Sequence, residues 1–295
     1  MVDYILRGAY ELDFGMMGYD VPPYGELPSP AKPKEIQISV CLSTWRRKKE
    51  TNVSCLQSIL NQGFPSESYE IILVDDASEG EHYEWYKEAV DYILKQYPNH
   101  NFRTYHTNYS RCWNDPHTLN VAFKRALGWI ILYGQTDSTQ EGEVLEAVWR
   151  HHNQADNIGL QPKHFAETED GGRIAWPPQY YPEEHAMSIR KQHIHRVKGR
   201  NEAIKGMMNT AIVDFLSHAL TPFVIYCEDK TVTTFHRNIT PYRRAGHDQH
   251  PTLPRQNRRH GINRVWTDGD WGVLEPEEEK SVRMTEHMMK VLQNR

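Results

Sequence analysis

Between residues 36 and 161, apolar positions follow two periods in turn, one typical of strands and one typical of helices. Period-two patterns and short apolar runs predict strands over 36–42, 70–74, 102–106, 129–133 and 157–161. Apolar residues at helical spacing predict helices over 51–62, 81–97 and 141–155, and a further helix that begins at Asp115 and Pro116. This alternation predicts an α/β fold with a doubly wound, mostly parallel sheet and right-handed crossovers.

The pattern is weaker outside this stretch. Residues 1–35 are rich in Gly, Pro and Tyr and end in a proline-rich run, which predicts an extension without regular structure. Residues 162–200 show little periodicity. Beyond them, apolar spacing predicts helices over 206–220 and 276–293 and strands over 222–227 and 231–235.

Polar residues follow three of the predicted strands at the point where each strand ends. The first strand runs into residues 43–47, the second into 75–78, and the fourth into 134–138. Ligands of open α/β sheets bind beyond the carboxyl ends of the strands, so we expect these segments to line one crevice. An aspartate pair there can accept hydrogen bonds from a base or a ribose, and a lone carboxylate can hold a hard divalent cation.

Composition excludes several classes of protein. The chain has 295 residues, of which 38% are hydrophobic, and its longest apolar runs, at 129–133 and 223–227, are far shorter than the ~20 residues of a membrane helix. Residues 1–10 lack the apolar core of a signal sequence, so we predict no membrane span and a cytoplasmic location. The four cysteines lie far apart, which argues against a zinc ribbon or a disulfide scaffold.

Charge is distributed unevenly along the chain. The net charge is -5, from 34 basic and 39 acidic residues, which excludes a uniformly basic coat for nucleic acid. Histidine and arginine nevertheless concentrate in the second half. We call the following residues the late basic cluster: His236, Arg237, Arg243, Arg244, His247, His250, Arg255, Arg258, Arg259, His260 and Arg264.

Three blocks of the first half match one known motif in order, spacing and chemistry. They are Ile38-Ser-Val-Cys-Leu-Ser-Thr-Trp-Arg-Arg, Cys55-Leu-Gln-Ser-Ile-Leu-Asn-Gln-Gly-Phe-Pro and Glu70-Ile-Ile-Leu-Val-Asp-Asp-Ala-Ser. Together they resemble the opening of glycosyltransferase family 2, and Pro116-His-Thr-Leu-Asn-Val with the strand before Asp137 is similar to the next block of that family. The resemblance covers residues 36–161 and implies a GT-A (Rossmann-like) fold and a nucleotide-sugar donor, commonly a UDP-sugar.

The resemblance implies donor-binding roles for residues at the strand ends. Thr44 and Trp45 stand where family members meet the nucleotide base, and Asp75 and Asp76 stand where an aspartate pair reads the uracil edge or the ribose. Asn120 stands at the asparagine of the family's helix, where a structural role is the alternative. The implied donor-binding set is Thr44, Trp45, Arg46, Asp75, Asp76, Asn120 and Gln135.

A divalent cation, Mg²⁺ or Mn²⁺, is implied by the match of Asp137 to the last aspartate of the family's D-x-D motif. The chain departs from the family at Gln135, where the first aspartate is expected. The metal would then depend on Asp137, diphosphate oxygens and a later histidine, for which His250 and His247 are the candidates. The alternative is that no metal binds and basic residues neutralise the diphosphate.

Sugar transfer also requires a base that takes the proton of the acceptor hydroxyl. In inverting members of the family this base is a carboxylate in an E-D motif on the acceptor side. Glu228 and Asp229, which directly follow the predicted strand 222–227, resemble that motif and imply Asp229 as the base, with Glu228 second. Asp248 is a competitor, and the Gly-Phe-Asp-Glu sequence that usually precedes the motif is missing.

These observations divide the chain into four predicted segments. They are an N-terminal extension (1–35), the nucleotide-sugar-binding half of a GT-A domain (36–161), an acceptor and catalytic half (162–250), and a basic segment with a C-terminal helix (251–295). Basic residues from 190 to 205 are expected to form a flexible loop over the donor. The late basic cluster is expected to bind the diphosphate or an anionic acceptor.

The predicted activity is metal-assisted, inverting transfer of a sugar from a nucleotide-sugar, with UDP as the expected nucleotide, to a hydroxyl of a glycan, a protein or a nucleic acid. Two alternatives stay open. A GT-A-fold binding or structural module that has lost catalysis would account for Gln135 and for the missing Gly-Phe-Asp-Glu sequence. A transferase that acts on nucleic acid would account for the basic second half.

Overall fold

The computed structural model describes residues 35–108, 115–156, 158–168, 170–175, 186–200, 202, 225–236 and 271–295. The strands are β1 (Ile38–Thr44), β2 (Tyr69–Asp75), β3 (Asn101–His106), β4 (Ile130–Gln135), β5 (Ser138–Glu141), β6 (Ile158–Glu167), β7 (Arg173–Ala175), β8 (Met187–Arg190), β9 (Ile225–His236) and β10 (Arg283–Met284). The helices are α1 (Lys49–Leu60), α2 (Glu81–Gln96), α3 (Asp115–Arg125), α4 (Val144–Gln154), α5 (Lys191–Arg196), α6 (Pro276–Lys280) and α7 (Glu286–Gln293).

Within the described residues, the strands form one ten-stranded sheet in the order β10-β3-β2-β1-β4-β8-β6-β9-β5, with β7 paired to β6. Strands β3, β2, β1 and β4 are parallel to one another, and β6 is parallel to β9. The antiparallel strand β8 joins these two parts, since it pairs with β4 on one side and with β6 on the other. A central, mostly parallel sheet flanked by helices confirms the predicted fold class.

Alternate residues of the central strands pack into two hydrophobic layers, one on each face of the sheet. Ile71 and Leu73 of β2 belong to the layer that contains α1, α2 and α4, whereas Ile72 and Val74 belong to the layer that contains α3 and α5. Strands β1 and β2 are buried at every position, which explains the continuous apolar run of β2, whereas β1 also buries the polar residues Ser39, Ser43 and Thr44. Among the described helices, none is long and apolar enough to cross a membrane.

The second half contains strands that the sequence pattern does not predict. Strand β8 has four residues and lies within residues 162–200, where the sequence shows little periodicity. In the first half, the four-residue strand β5 is likewise not predicted. The strands expected at 222–227 and 231–235 are a single strand, β9, with a register shift against β6 after Pro162. Short or interrupted strands owe their structure to their neighbours in the sheet, so their own periodicity is weak. The helix predicted over 206–220 lies outside the described residues.

The prediction of a flexible loop that begins at residue 190 is wrong for residues 190–200. These residues form the end of β8, helix α5 and a turn whose last residue, Arg200, is buried. Arg190 pairs in register with Ile130 at the start of β4, so the segment begins at the opposite edge of the sheet from the predicted crevice. Lys191 Nζ donates a hydrogen bond to the Ala126 carbonyl at 3.1 Å, so this basic side chain contacts the residue that follows α3.

The C-terminal helix predicted over 276–293 is divided into α6, β10 and α7. Strand β10 pairs antiparallel with β3 and so covers that edge of the sheet. Thr285 caps α7, because its hydroxyl accepts a hydrogen bond from the Met288 N–H at 3.2 Å. The apolar spacing of Met284 and Met288 continues across this break, so periodicity alone does not reveal it.

Candidate functional site

The ends of three parallel strands meet at one edge of the sheet, as the sequence predicts. Thr44, the last residue of β1, is paired in register with Asp75, the last residue of β2. Ser43 is paired with Gln135, the last residue of β4. The polar segments that follow these strands therefore leave the sheet side by side. We call residues 44–47, 75–78 and 135–138 together the carboxyl edge.

Sheet register places the backbone of Asp229 one residue before the level of this edge, in the second part of the sheet, and that of Glu228 two residues before it. One row of paired residues crosses the sheet through Leu132, Ser188, Leu160 and Cys227. Strands β4, β6 and β9 run in the same direction. Gly134 on β4 and Asp229 on β9 each lie two residues beyond this row, so their backbones are at the same level of the sheet. The register shift of β9 against β6 follows directly after Asp229.

Asp75 shapes the turn that follows β2. Its Oδ2 accepts a hydrogen bond from the Ser78 N–H at 2.9 Å, and its Oδ1 accepts one from the Ser78 hydroxyl at 2.7 Å. His106 Nδ1 lies 2.8 Å from Asp75 Oδ2. Ala77, inside this turn, has a positive φ of 51°, a backbone conformation that is uncommon for residues other than glycine. Asp75 is fully buried, and its hydrogen bonds hold the loop that carries Asp76.

The Thr44 hydroxyl belongs to a buried chain of hydrogen bonds. It accepts a hydrogen bond from Thr136 Oγ1 at 3.0 Å and donates one to Asn52 Oδ1 at 2.8 Å. This chain ties the end of β1 to helix α1 and to the turn after β4. Thr44 therefore sets the spacing of the carboxyl edge, while its contact with a nucleotide base stays a prediction.

Trp45 and Arg46 form the outer part of the loop after β1. The Arg46 guanidinium carbon lies 4.9 Å from the centre of the Trp45 ring, which is within the range of a cation–π contact. The Arg46 backbone has a positive φ of 51°, and its N–H donates to Ser78 Oγ at 2.9 Å. The loop after β1 is thereby fastened to the loop after β2.

Asp137 forms an ion pair with Arg47 in the turn after β4. Arg47 Nη2 lies 2.5 Å from Asp137 Oδ2, and the two side chains are 17% and 5% exposed, respectively. Burial, together with the charge of Asp137, raises the pKa of the Cys55 thiol well above its usual value. Arg47 was not among the predicted site residues, although the sequence signal was present, because it ends the first family block.

The described residues do not by themselves fit a divalent cation. They contain no group of three or more His, Cys, Asp or Glu side chains that could hold a metal ion. Gln135 supplies an amide where the family motif has a carboxylate, and Asp137 already pairs with Arg47. His247, His250 and the competing base Asp248 lie outside the described residues, so their predicted roles stay predictions.

A histidine that sequence reasoning missed lies at the start of α3. His117 Nδ1 is 3.0 Å from Glu202 Oε2. Burial opposes the charged form of His117, but the hydrogen bond and charge of Glu202, with the charges of Asp76 and Glu278, raise its pKa overall. His117 therefore keeps its proton to a higher pH than an ordinary histidine does. Its sequence signal was its place beside Pro116, in the block that resembles the family.

Asn120 connects α3 to the turn after α5. Its Oδ1 accepts a hydrogen bond from the Arg200 N–H at 2.7 Å, and its Nδ2 donates to the Arg200 carbonyl and to Glu202 Oε1, both at 2.8 Å. We call this arrangement the Asn120 clamp. Gly199 has a positive φ of 73°, and a Cβ at this position would lie only 2.3 Å from Asn120 Oδ1. The clamp supports the structural role of Asn120, and its donor contact stays a prediction.

Comparison with solved structures shows the fold. S. aureus TarS 1–349 in complex with UDP-GlcNAc is 16% identical, with a TM-score of 0.55 over 72% of this chain and 61% of that chain. GalNAc-T7 with UDP, GalNAc and Mn²⁺ is 14% identical, with a TM-score of 0.54 over 70% of this chain and 45% of that chain. The mannosyltransferase PcManGT from Pyrobaculum calidifontis, in complex with GDP-Man and Mn²⁺, is 14% identical, with a TM-score of 0.54 over 75% and 61%. This chain spans less than two thirds of each of these chains.

Sequence comparison shows the family. A comparison with curated proteins gave no match. The family model described as glycosyl transferase family 2 matches residues 39–219, which is more than half of the chain. The match includes β1, β2 and β4, whose ends form the carboxyl edge, and the structural neighbours are GT-A glycosyltransferases. The chain therefore belongs to glycosyl transferase family 2.

Proposed function

We propose that this chain transfers a sugar from a nucleotide-sugar, with UDP as the nucleotide, to an acceptor hydroxyl with inversion at the anomeric carbon. The observation that carries the proposal is the carboxyl edge. It sets Thr44, Asp75 and Gln135 at the ends of adjacent parallel strands, with the backbone of Asp229 at the level of Gly134, one residue before this edge. Family membership over residues 39–219 supports the reaction class.

The nucleoside would bind against the loops that follow β1 and β2. Asp75 uses both carboxylate oxygens on protein groups, namely Ser78 in the loop after β2 and His106 at the end of β3, which suits a positioning residue. We therefore assign Asp76, the next residue, to the uracil edge or the ribose. The partly exposed ring of Trp45 offers a surface on which a base can stack.

The leaving group sets the electrostatic requirement of the reaction. Transfer breaks the bond between C1 of the sugar and the phosphate oxygen, and the electron pair of that bond leaves with the nucleoside diphosphate. Cationic groups beside the diphosphate stabilise the charge that develops. Mg²⁺ or Mn²⁺ on Asp137 would supply such a charge, but the described donor set does not fit the ion by itself, so no step of this proposal depends on it.

Asp229 is the proposed base on the acceptor side. Its carboxylate would take the proton of the acceptor hydroxyl while the hydroxyl oxygen attacks C1 from the face opposite the diphosphate. Attack and departure on opposite faces invert the anomeric configuration. The register shift of β9 directly after Asp229 supports this assignment, because such irregularities re-aim side chains beside active sites. Glu228 is the second candidate.

Gln135 favours a second candidate function, a GT-A-fold module that binds the nucleotide-sugar without transferring the sugar. Because position 135 holds an amide, the site has one carboxylate fewer than the family motif. Such a module would show donor binding without turnover. Nucleic acid stays among the proposed acceptors, with glycans and proteins, because of the late basic cluster.

The test is a donor panel. Purified protein is incubated with UDP- and GDP-sugars and candidate acceptors, with Mn²⁺ and with EDTA in parallel, and free nucleoside diphosphate is measured. We expect turnover with a UDP-sugar. Absence of both turnover and thermal shift with every donor would refute the proposal, whereas a thermal shift without turnover would favour the binding module.

Variants at Asp229 test the base. Asp229→Asn should keep donor binding and lose transfer, because the amide cannot accept the proton of the hydroxyl. Asp91→Asn is the matched control, since Asp91 is exposed on α2 and pairs with Arg283 at the surface. Normal transfer by Asp229→Asn would move the base to another carboxylate, with Glu228 tested next.

A further inference from the structure

The charge balance around Asp137 differs from that of a divalent-metal site. Asp137 contributes one carboxylate, and the position two residues earlier holds the neutral amide of Gln135. The single negative charge of Asp137 is matched by the single positive charge of Arg47, whose Nη2 is 2.5 Å from Asp137 Oδ2. A divalent cation at the same oxygen would have to displace this guanidinium or sit beside a like charge.

Arg47 is held at Asp137 by the loops around it. The Arg46 N–H donates to Ser78 Oγ at 2.9 Å, which fixes the loop just before Arg47. Helix α1 begins at Lys49, so the loop is short on its other side. The hydrogen bond from Thr136 Oγ1 to Thr44 Oγ1, at 3.0 Å, joins the turn that carries Asp137 to the strand that precedes Arg47. The ion pair therefore connects two segments that the sheet already places side by side.

A guanidinium in this place has the chemistry to bind a diphosphate. It carries five N–H donors in a planar fork, so one that is anchored to Asp137 can present further donors to phosphate oxygens. The side chain of Arg47 is 17% exposed, whereas that of Asp137 is 5% exposed, so the guanidinium is the more accessible partner.

We propose that Arg47 is the cation of the donor site, anchored by Asp137 and directed at the diphosphate, so that nucleotide binding by this chain does not require Mg²⁺ or Mn²⁺. This inference rests on the proposed function, because it needs the carboxyl edge to be the donor site. In this account Asp137 is a positioning residue for Arg47. The neutral side chain of Gln135 is consistent with this role of Arg47, because a second carboxylate at position 135 would leave the site with an excess of negative charge.

Calorimetric titration of UDP and of GDP tests the proposal without relying on turnover. Each nucleotide is titrated into the wild type, Arg47→Ala, Arg47→Lys and Lys49→Ala, with EDTA and with Mn²⁺ in parallel. Lys49 is the matched control because it is a nearby cation that pairs with Glu88 at the surface, at 3.3 Å. Circular dichroism and melting temperature show that each variant is folded.

We expect the wild type to bind UDP or GDP in EDTA with an affinity within about threefold of that in Mn²⁺. Arg47→Ala should lose roughly 10- to 100-fold, the range for a lost hydrogen bond to a charged group. Arg47→Lys should recover part of this loss, and Lys49→Ala should match the wild type. Binding that requires Mn²⁺ in the wild type, or unchanged binding by a folded Arg47→Ala, would overturn the proposal and leave the proposed function standing.

Gln135→Asp is a second, independent test if Arg47→Ala does not fold. The added carboxylate restores the D-x-D pattern, so this variant should bind Mn²⁺ alone more tightly than the wild type, as measured by electron paramagnetic resonance. Equally tight Mn²⁺ binding by the wild type would overturn the proposal. Failure of UDP and GDP to bind the wild type under either condition would instead refute the proposed function, and with it the role of Arg47.

Discussion

Replacing Asn120 with alanine tests whether the Asn120 clamp is structural. The side chain makes three hydrogen bonds, two to the Arg200 backbone and one to Glu202 Oε1, at 2.7 to 2.8 Å. Asn120 and Arg200 are both buried, so water does not replace the missing partner when the amide is removed. The N–H and carbonyl of Arg200 would then lie in the interior without these hydrogen bonds.

The expected cost follows from these contacts. A buried polar group that loses its partner costs about 1–3 kcal/mol. Two backbone groups of Arg200 are affected, so we expect Asn120→Ala to lower the free energy of unfolding by about 2–5 kcal/mol. A typical folded domain has only about 5–15 kcal/mol in total, so a change of this size is easily measured.

Urea unfolding, followed by tryptophan fluorescence, measures this free energy. Asn153→Ala is the control, because Asn153 is exposed on α4 and its side chain makes a local hydrogen bond to the Trp149 carbonyl. The control should change the free energy of unfolding by no more than about 0.5 kcal/mol. UDP titration of both variants at low temperature then compares nucleotide affinity in the folded proteins.

The clamp already engages both ends of the Asn120 amide, so we expect UDP affinity to change less than about threefold. The contrary outcome is specific. If Asn120→Ala unfolds within about 0.5 kcal/mol of the wild type but binds UDP more than about tenfold more weakly, the structural reasoning is wrong. The sequence-based prediction that Asn120 contacts the donor would then be confirmed.

Three further predictions concern the surroundings of the site. Gly199→Ala should lower the melting temperature, because its φ of 73° is unfavourable for alanine and a Cβ would lie 2.3 Å from Asn120 Oδ1; an unchanged melting temperature would contradict this. Glu202→Gln should lower the pKa of His117, as measured by NMR titration, since burial opposes protonation and Glu202 helps to raise that pKa. The stabilisation from protonated His117 should be fully present below about pH 6.5 and should be lost as the pH rises through the raised pKa of His117. If Glu202→Gln lowers the free energy of unfolding by the same amount below and above this pH range, the prediction is wrong. Cys55 is buried, which raises the pKa of its thiol, so its peptide should be alkylated by iodoacetamide only when urea unfolds the chain.

The parallel part of the fold could be predicted because burial on both faces leaves a clear record in the sequence. Strands β1 and β2 are buried at every position, so their apolar residues stand out against the polar loops. The order of strand and helix then fixes a parallel sheet, and the carboxyl ends must share an edge. The meeting of Thr44, Asp75 and Gln135 follows from these rules.

The second half could not be predicted in the same way because its strands depend on partners far along the chain. Strand β8 has four residues and is defined by pairing with β4 and β6. The break between α6 and α7 is set by β10, which pairs with β3, and by the Thr285 cap. Local periodicity carries little information about contacts of this kind.

Contacts within the site show the same limit. The family block contains Arg47, but its ion pair with Asp137 joins residues that are 90 positions apart. His117 likewise acquires its raised pKa from Glu202, which follows it by 85 positions. Residue types at strand ends therefore predict where a candidate site lies, whereas the partners that set its charge emerge only from the folded chain.

A crystal structure of the chain with UDP tests the central claim, that the carboxyl edge is the donor site, most directly. The account predicts a uridine against the loops after β1 and β2, within hydrogen-bond distance of Asp76. It also predicts the diphosphate within hydrogen-bond distance of the Arg47 guanidinium, with Asp137 still paired to it. A nucleotide bound away from residues 44–47, 75–78 and 135–138 would contradict the account.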